Sequence, residues 1–571
     1  MTDTSTLVIR GGTIFDGSGG DPYDADLRVE DGRIAEIGPN LPKGDEEIDA
    51  RGHMVTPGFV DLHTHYDAQV TWSNHITPSS WNGVTTAMIG NCGVGFAPCL
   101  PEQRDMLVKL MEGVEDIPEV VLTEGLPWNW ETFEDYLDTL DARPYDLDVV
   151  TQVPHAALRV YVMGQRGVNR EPATADDRAK MAQLAAAGIQ AGALGFSTSR
   201  TLNHQTLAGE AIPTLEAEEA ELSDIAGAIS DVGSGWMQVI SDFNESDEEF
   251  AMLRRIAKRA GRPLSITVLQ RDRNPEWWRD IMGQISAANA DGAKIVGQVL
   301  PRATGTVMSF EISQNPFVGR PSWDKIANLS LADKLAVLRQ PDFRAQIMSE
   351  TCPDEKLANR VSNFERIFPL GDPPNYEPEP DQSIAALAAR TGREPADVAY
   401  DMLLENDGKT FLYRPISNYT YFNLDTVGDM MQHPNTLVGL GDGGAHVGII
   451  CDASAISYLL THWTRDRTRG DTMSLPWAIK RLTHDNASTI GLNDRGLLEP
   501  GRKADINVID YDNLRLRAPE VVYDLPAGGR RLIQKTDGYA ATIVAGKPVY
   551  RNGEATGELP GRLVRGMKGA A

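Results

Sequence analysis

Cysteine is scarce in this chain: four residues, Cys92, Cys99, Cys352 and Cys451, in a length of 571. So few thiols at unrelated spacings exclude a disulfide framework and suit a reducing compartment. Long apolar runs are lacking too, and no uninterrupted stretch is long enough to cross a bilayer. The opening "MTDTSTLVIRGG" has no basic segment leading into an apolar one, so no secretory signal is expected and the expected location is cytoplasmic. Positive charge is in deficit, with 54 Lys and Arg against 81 Asp and Glu and a net charge of −27. A surface of that sign repels phosphate backbones and acidic membranes, which removes nucleic acid and membranes from the expected partners. A small-molecule substrate is the expected partner, with homo-oligomerisation left open. Histidine is also sparse, at ten residues, so the position of each one carries information.

The two ends of the chain read as short strands and turns. Residues 5–56 hold alternating segments such as "TLVIRGGTIFDGSG" and "DADLRVEDGRIAEIG", with Asp-Gly turns at 16–17 and 31–32. Residues 503–516 and 540–553 have the same texture, and the two ends are expected to meet in one small β-domain. Between them, short apolar runs alternate with helical stretches. The runs lie at 58–65, 85–92, 146–155, 193–200, 236–242, 264–270, 294–302 and 437–446. Eight strands with intervening helices suggest a (β/α)8 TIM-like barrel, with a doubly wound open sheet as the competing fold. The interval from 303 to 436 is too long for one loop and reads as a helical insertion before the eighth strand. The expected organisation is therefore 1–56 and 499–571 for a β-sandwich domain built from both ends, 57–302 for barrel strands one to seven, 303–436 for the insertion, and 437–498 for the eighth strand and last helices.

In "PGFVDLHTHYD" (57–67) an apolar run ends in His63 and His65. Residues i and i+2 of a strand share a face, so both imidazoles project side by side. Two neutral imidazoles at a strand end form half of a metal site. Other runs end in residues of the same kind: Cys92 in "GNCGVG", His155 in "PHAALR", Asp442 and His446 in "GDGGAH". In barrels of this type chemistry sits at the C-terminal ends of the strands, so these residues point to one shared site. Arg200 and Arg302 end the fourth and seventh runs and are the best-placed partners for a substrate carboxylate. His204, on the loop after the fourth run, and Gln298, within the seventh, complete the candidate substrate contacts.

The segments "TPGFVDLHTHYD", "GVTTAMIGNCGVGFAP", "GALGFSTS", "GDGGAH" and "DRGLLEPGRKADINVID" resemble the amidohydrolase superfamily, and specifically its N-acyl-D-amino-acid deacylase (D-aminoacylase) branch. The resemblance implies a metal, usually zinc, held by His63, His65, Cys92 and Asp442, with Asp442 also handling the proton of the attacking water. It implies hydrolysis of the amide bond of a small N-acyl amino acid, with His155 helping to polarise the carbonyl or order the site. A cyclic amide or lactone as substrate, or a scaffold without catalysis, are the alternatives. The chain departs from the family at two strand ends. The family places a histidine after the fifth strand and another after the sixth; here no histidine occurs between His204 and His433. Ser241 with Asp242, and Leu269 with Gln270, stand there instead. One zinc per chain is therefore expected, with Asp242 as a candidate replacement ligand for a second position.

Overall fold

The computed structural model describes residues 6–244 and 246–566. All eight apolar runs form strands: β1 (Phe59–Asp61), β2 (Val84–Ile89), β3 (Asp148–Pro154), β4 (Gly195–Arg200), β5 (Trp236–Ser241), β6 (Leu264–Thr267), β7 (Ile295–Val299) and β8 (Thr436–Val438). They lie side by side in chain order, each parallel to the next. Helices cover the outside, so most strand residues are buried on both faces, which is why the runs read as continuous apolar segments.

The seam between β1 and β8 is closed just beyond the strand ends. Asp442 N–H donates to His63 O at 3.0 Å, and His65 N–H donates to Gly443 O at 2.7 Å. Lower in the seam, Asn486 Nδ2 donates to Val60 O and Val438 O, each at 2.9 Å. The candidate ligands after β1 and β8 thus sit on backbone that is itself hydrogen-bonded across the closure.

The two chain ends join in one nine-stranded sheet. Met54–Pro57 pairs antiparallel with Ile506–Ile509, and Tyr539–Val544 extends the sheet on the far side. Leu7, Ile9, Leu27, Val29, Ile506, Val508 and Ile543 build its core. Residues 515–537 leave this sheet: the hairpin Glu520–Leu525 with Gly529–Ile533 reaches the loop after β8, where Leu532 N–H donates to Val447 O at 2.7 Å. The segment between β7 and β8 carries helices such as Leu331–Leu338 and Pro395–Gly408. It also carries a three-stranded sheet of Thr304–Met308, Leu412–Ser417 and Phe368–Pro369 that the helical expectation did not contain. An aromatic cluster of Phe310, Phe317, Trp323 and Tyr400 packs its core.

Beneath the barrel, Asp148 of β3 is buried against two cations. Its Oδ2 accepts from Arg495 Nη1 at 2.6 Å and from Lys503 Nζ at 2.7 Å, tying the barrel floor to the segment that re-enters the β-domain. Burial raises the Asp148 carboxyl, but the charges of Lys503 and Arg495 outweigh it and hold it below the usual carboxylate range. A carboxyl lowered in the folded state stabilises the fold above its unfolded pKa of about 3.9, and that contribution is lost as pH falls through the lower folded value. Asp148→Asn removes the anion that Arg495 and Lys503 share, leaving Arg495 with Asp494 and Lys503 with Asp505, and is expected to cost about 2 kcal/mol of unfolding free energy at neutral pH. The deficit should shrink as both proteins are taken into acid. Equal denaturant midpoints for variant and wild type at pH 7 would contradict this.

Candidate metal centre

His63 and His65 follow β1, and their ring centroids lie 5.4 Å apart at an interplanar angle of 60°. His63 Nδ1 donates to Gln298 Oε1 on β7 at 2.9 Å. An amide oxygen only accepts, so the proton is on Nδ1 and Nε2 presents its lone pair. That Nε2 lies 3.2 Å from Cys92 Sγ and 3.5 Å from Asp442 Oδ1. His65 Nε2 lies 3.8 Å from the same Asp442 oxygen, and its Nδ1 lies 3.1 Å from Glu115 Oε1. One ligand atom each from His63, His65 and Cys92 falls within 4.8 Å of the others.

The Asn-Cys-Gly segment is held from three strands. Asn91 Nδ2 donates to Thr64 O and Met88 O, and Asn91 Oδ1 accepts from Gln152 Nε2 of β3 at 2.8 Å. Gly93 N–H donates to Ser197 Oγ of β4, and Cys92 N–H donates to Gln238 Oε1 of β5 at 2.8 Å. Cys92 has φ 55°, a left-handed conformation that a side chain adopts at a cost. Gly93 beside it has φ 69°, and a Cβ there would come within 2.8 Å of the Thr198 backbone. The loop after β8 is strained in the same way: Leu440, Asp442 and His446 all have positive φ. The site opens on that side, since the Asp442 side chain keeps 23% exposure while His65 and Glu115 keep 3% and 2%.

Electrostatics give the fit test for a metal. Burial pushes His63 down to about 4 and His65 well below the usual histidine range, so both rings are neutral, the form that binds metal. Burial pushes the Cys92 thiol well up, and the charges of Glu115, Asp442 and Asp67 add to it. Burial likewise raises Glu115 and Asp442, and carries Asp67 up to about 7. Among the described residues no Lys or Arg forms an ion pair with any of these groups, and Glu115 Oε2 and Asp67 Oδ2 have no hydrogen-bond partner. A bound cation reverses every one of these acid shifts. Two imidazoles, a thiolate and a carboxylate are a donor set suited to zinc, so the residues fit the group.

The other expectations divide. His204 lies near the centre: its Nδ1 is 2.9 Å from Ser199 Oγ, and burial with His446 and His63 nearby pushes it down to about 3. Four candidates have internal partners instead and are corrected. Arg200 forms a two-point pair with Glu249. Arg302 is fully buried, paired with Asp452 and stacked over Tyr376 at 4.1 Å. Neither guanidinium is free for a substrate carboxylate. Gln298 faces His63 and holds its ring at Nδ1. His155 is fully buried, with Nδ1 2.8 Å from Thr198 Oγ1 and Nε2 2.8 Å from Glu221 Oε1, so the ring faces neighbouring side chains.

The departures from the family pattern are structural in character. Ser241 Oγ donates to Glu249 at 3.0 Å. Asp242 accepts from Thr201 Oγ1 and Leu202 N–H, which removes it as a replacement ligand. Leu269 packs with Leu300 and Leu440. Gln270 anchors the insertion through Asn418, Thr420 and Thr426. Sequence reasoning missed Glu115, Asp67 and Gln238. Glu115 left one trace: in helix Arg104–Glu115 the buried stripe Leu107, Val108, Met111 and Val114 runs directly into a carboxylate.

A family model described as "Amidohydrolase family" matches residues 46–550. The chain belongs to the amidohydrolase family. Two deacylase relatives match over nearly full length. An N-acyl-D-aspartate deacylase of Alcaligenes xylosoxydans xylosoxydans is 27% identical over 592 residues, covering 99% of this chain and 97% of the relative. A D-aminoacylase of the same organism is 26% identical over 563 residues, covering 98% and 97%. The solved structure of an N-acyl-D-glutamate deacylase from Bordetella bronchiseptica, complexed with zinc and a phosphonate inhibitor, superposes with a TM-score of 0.65 at 23% identity, covering 98% and 99%. The resemblance to the D-aminoacylase branch is borne out, and so is the barrel fold of this amidohydrolase.

Gln298→Leu should weaken zinc binding about 10–100-fold, because it frees the His63 ring at Nδ1. KM for substrate should be unchanged once the variant is saturated with metal. A raised KM with unaltered metal affinity would return Gln298 to the substrate contacts.

Proposed function

We propose that this amidohydrolase deacylates small N-acyl amino acids of D configuration at a centre holding one zinc ion. The observation that carries the reading is the convergence of His63 Nε2, His65, Cys92 Sγ and Asp442 Oδ1 at the barrel's C-terminal end. His63, His65 and Cys92 would hold the metal, with Asp442 at its open side. When bound, the metal supplies Lewis acidity, activating a water and polarising the acyl carbonyl. Asp442, partly exposed where the rest of the centre is buried, takes the proton from the attacking water and returns it to the departing nitrogen. The buried surroundings exclude bulk water and strengthen each charge interaction there. His204 is the group placed to contact substrate beside His446 and His63.

The single-ion reading is supported by the fates of Ser241, Asp242 and Gln270, each engaged by protein groups. The D-amino-acid reading is supported by relatives whose names specify N-acyl-D-aspartate and D-amino-acid substrates over the full chain length. The test is amine release from matched N-acetyl-D- and N-acetyl-L-amino acids. Turnover is expected for one or more D substrates, with little for their L partners. His63→Ala should lower kcat/KM by more than the ~10–100-fold that losing an outer partner costs. Full activity in that variant would sink the metal mechanism.

A further inference from the structure

We propose that Glu115 is a positioning residue of the metal centre, holding His65 at Nδ1 so that Nε2 faces Asp442. The proposal rests on the metal-centre reading above. Glu115 Oε1 lies 3.1 Å from His65 Nδ1, a buried ring nitrogen that has no hydrogen-bond partner in this geometry, and the opposite ring nitrogen lies 3.8 Å from Asp442 Oδ1. A carboxylate within reach of one ring nitrogen is the group that, once hydrogen-bonded, fixes tautomer and raises basicity in metal-binding histidines.

Nothing else in the surroundings accounts for the placement. Glu115 is the last residue of helix Arg104–Glu115, where the helix dipole disfavours negative charge. It is 1% exposed, and its Oε2 has no hydrogen-bond partner. The basic groups within 4.0 Å of it among the described residues are two histidines, His65 and, at 4.0 Å, His446. The local chain enforces the position. Gly113 lets residues 205 and 206 lie directly on the helix, since a Cβ there would come within 2.3 Å of Gln205 O. Asp116, at φ 52°, then turns the chain away.

The chain contains its own comparison. His63 Nδ1 is hydrogen-bonded to an amide, Gln298, and His65 Nδ1 has a carboxylate 3.1 Å away. Glu115→Gln therefore makes the second histidine resemble the first, whereas Glu115→Leu removes the acceptor altogether.

The test is zinc affinity of the full chain by competition with a chromophoric chelator, in wild type, His63→Ala, Glu115→Gln and Glu115→Leu. Circular dichroism confirms folding, and the visible spectrum of the cobalt(II)-loaded protein reports ligand geometry. Glu115→Leu should weaken the zinc Kd about 10–100-fold and Glu115→Gln about 3–10-fold. Both should reach wild-type zinc content at saturation, with the cobalt spectrum altered in the leucine variant and restored by glutamine. Wild-type Kd and spectrum in Glu115→Leu would overturn the proposal. So would loss of the bound ion at saturation in Glu115→Gln, which would make Glu115 a direct ligand. If Glu115→Leu does not fold, wild-type Kd and spectrum in Glu115→Gln overturn it. If wild type binds zinc and His63→Ala does not, a failure at Glu115 leaves the metal-centre reading intact. If wild type binds none, that reading fails and this one with it.

Discussion

Buried negative charge without a balancing side-chain cation is the constraint around which this barrel mouth is organised. Burial raises the pKa of Cys92, Glu115, Asp67 and Asp442, the charges of Asp442 and Asp67 add to it at Cys92 and Glu115, and no lysine or arginine among the described residues pairs with any of the four. Isolated buried carboxylates cost several kcal/mol each, so such a cluster persists only if a cation joins it or protons neutralise it. Protonation would satisfy the charge but would waste a geometry in which His63 is tautomerically fixed and aimed. A divalent ion answers both features at once. Strain points the same way: Cys92, Asp442 and His446 each hold left-handed backbone at the loops that present them.

The scaffold meets this constraint through a polar layer inside the barrel. Gln152, Ser197, Gln238 and Gln298 project inward from four different strands and engage the loop around Cys92 or the ring of His63. These contacts fix ligand direction before any ion arrives, which is the requirement for a site precise to a few tenths of an ångström. Where the family uses the ends of the fifth and sixth strands for ligands, this chain uses them for architecture. Ser241 and Asp242 tie down the loop after β4, and Gln270 fastens the insertion. The cluster of His63, His65, Cys92 and Asp442 thus draws on the β1, β2 and β8 ends.

Much of this was legible in the sequence because its signals are local. Eight apolar runs bounded by turns became eight parallel strands. His63 and His65 share a face because a period of two continues past β1, and Cys92 and Asp442 follow strand ends directly. The arginines were not legible for the opposite reason: Arg200 and Arg302 find their partners 49 and 150 residues away, a separation that strand-end reasoning cannot see. Gln298 and His155 failed as substrate contacts because the choice between facing a ligand and facing a neighbouring side chain is made by packing. The small sheet in the insertion was hidden by its content. Leu412–Ser417 contains Pro415, and Phe368–Pro369 spans two residues. Glu115 lay in a helix, far from any strand end, and only its interruption of an apolar stripe marked it.

The fold and family are those of the D-aminoacylase relatives, and a single-ion centre is the proposal that the ends of the fifth and sixth strands support. The most direct test of that account is metal content per chain, by elemental mass spectrometry on protein purified without chelator or added metal. The account predicts about one equivalent of zinc. Two equivalents would show that a second position survives without the fifth- and sixth-strand histidines. None, with none taken up on adding zinc, would contradict the metal centre itself.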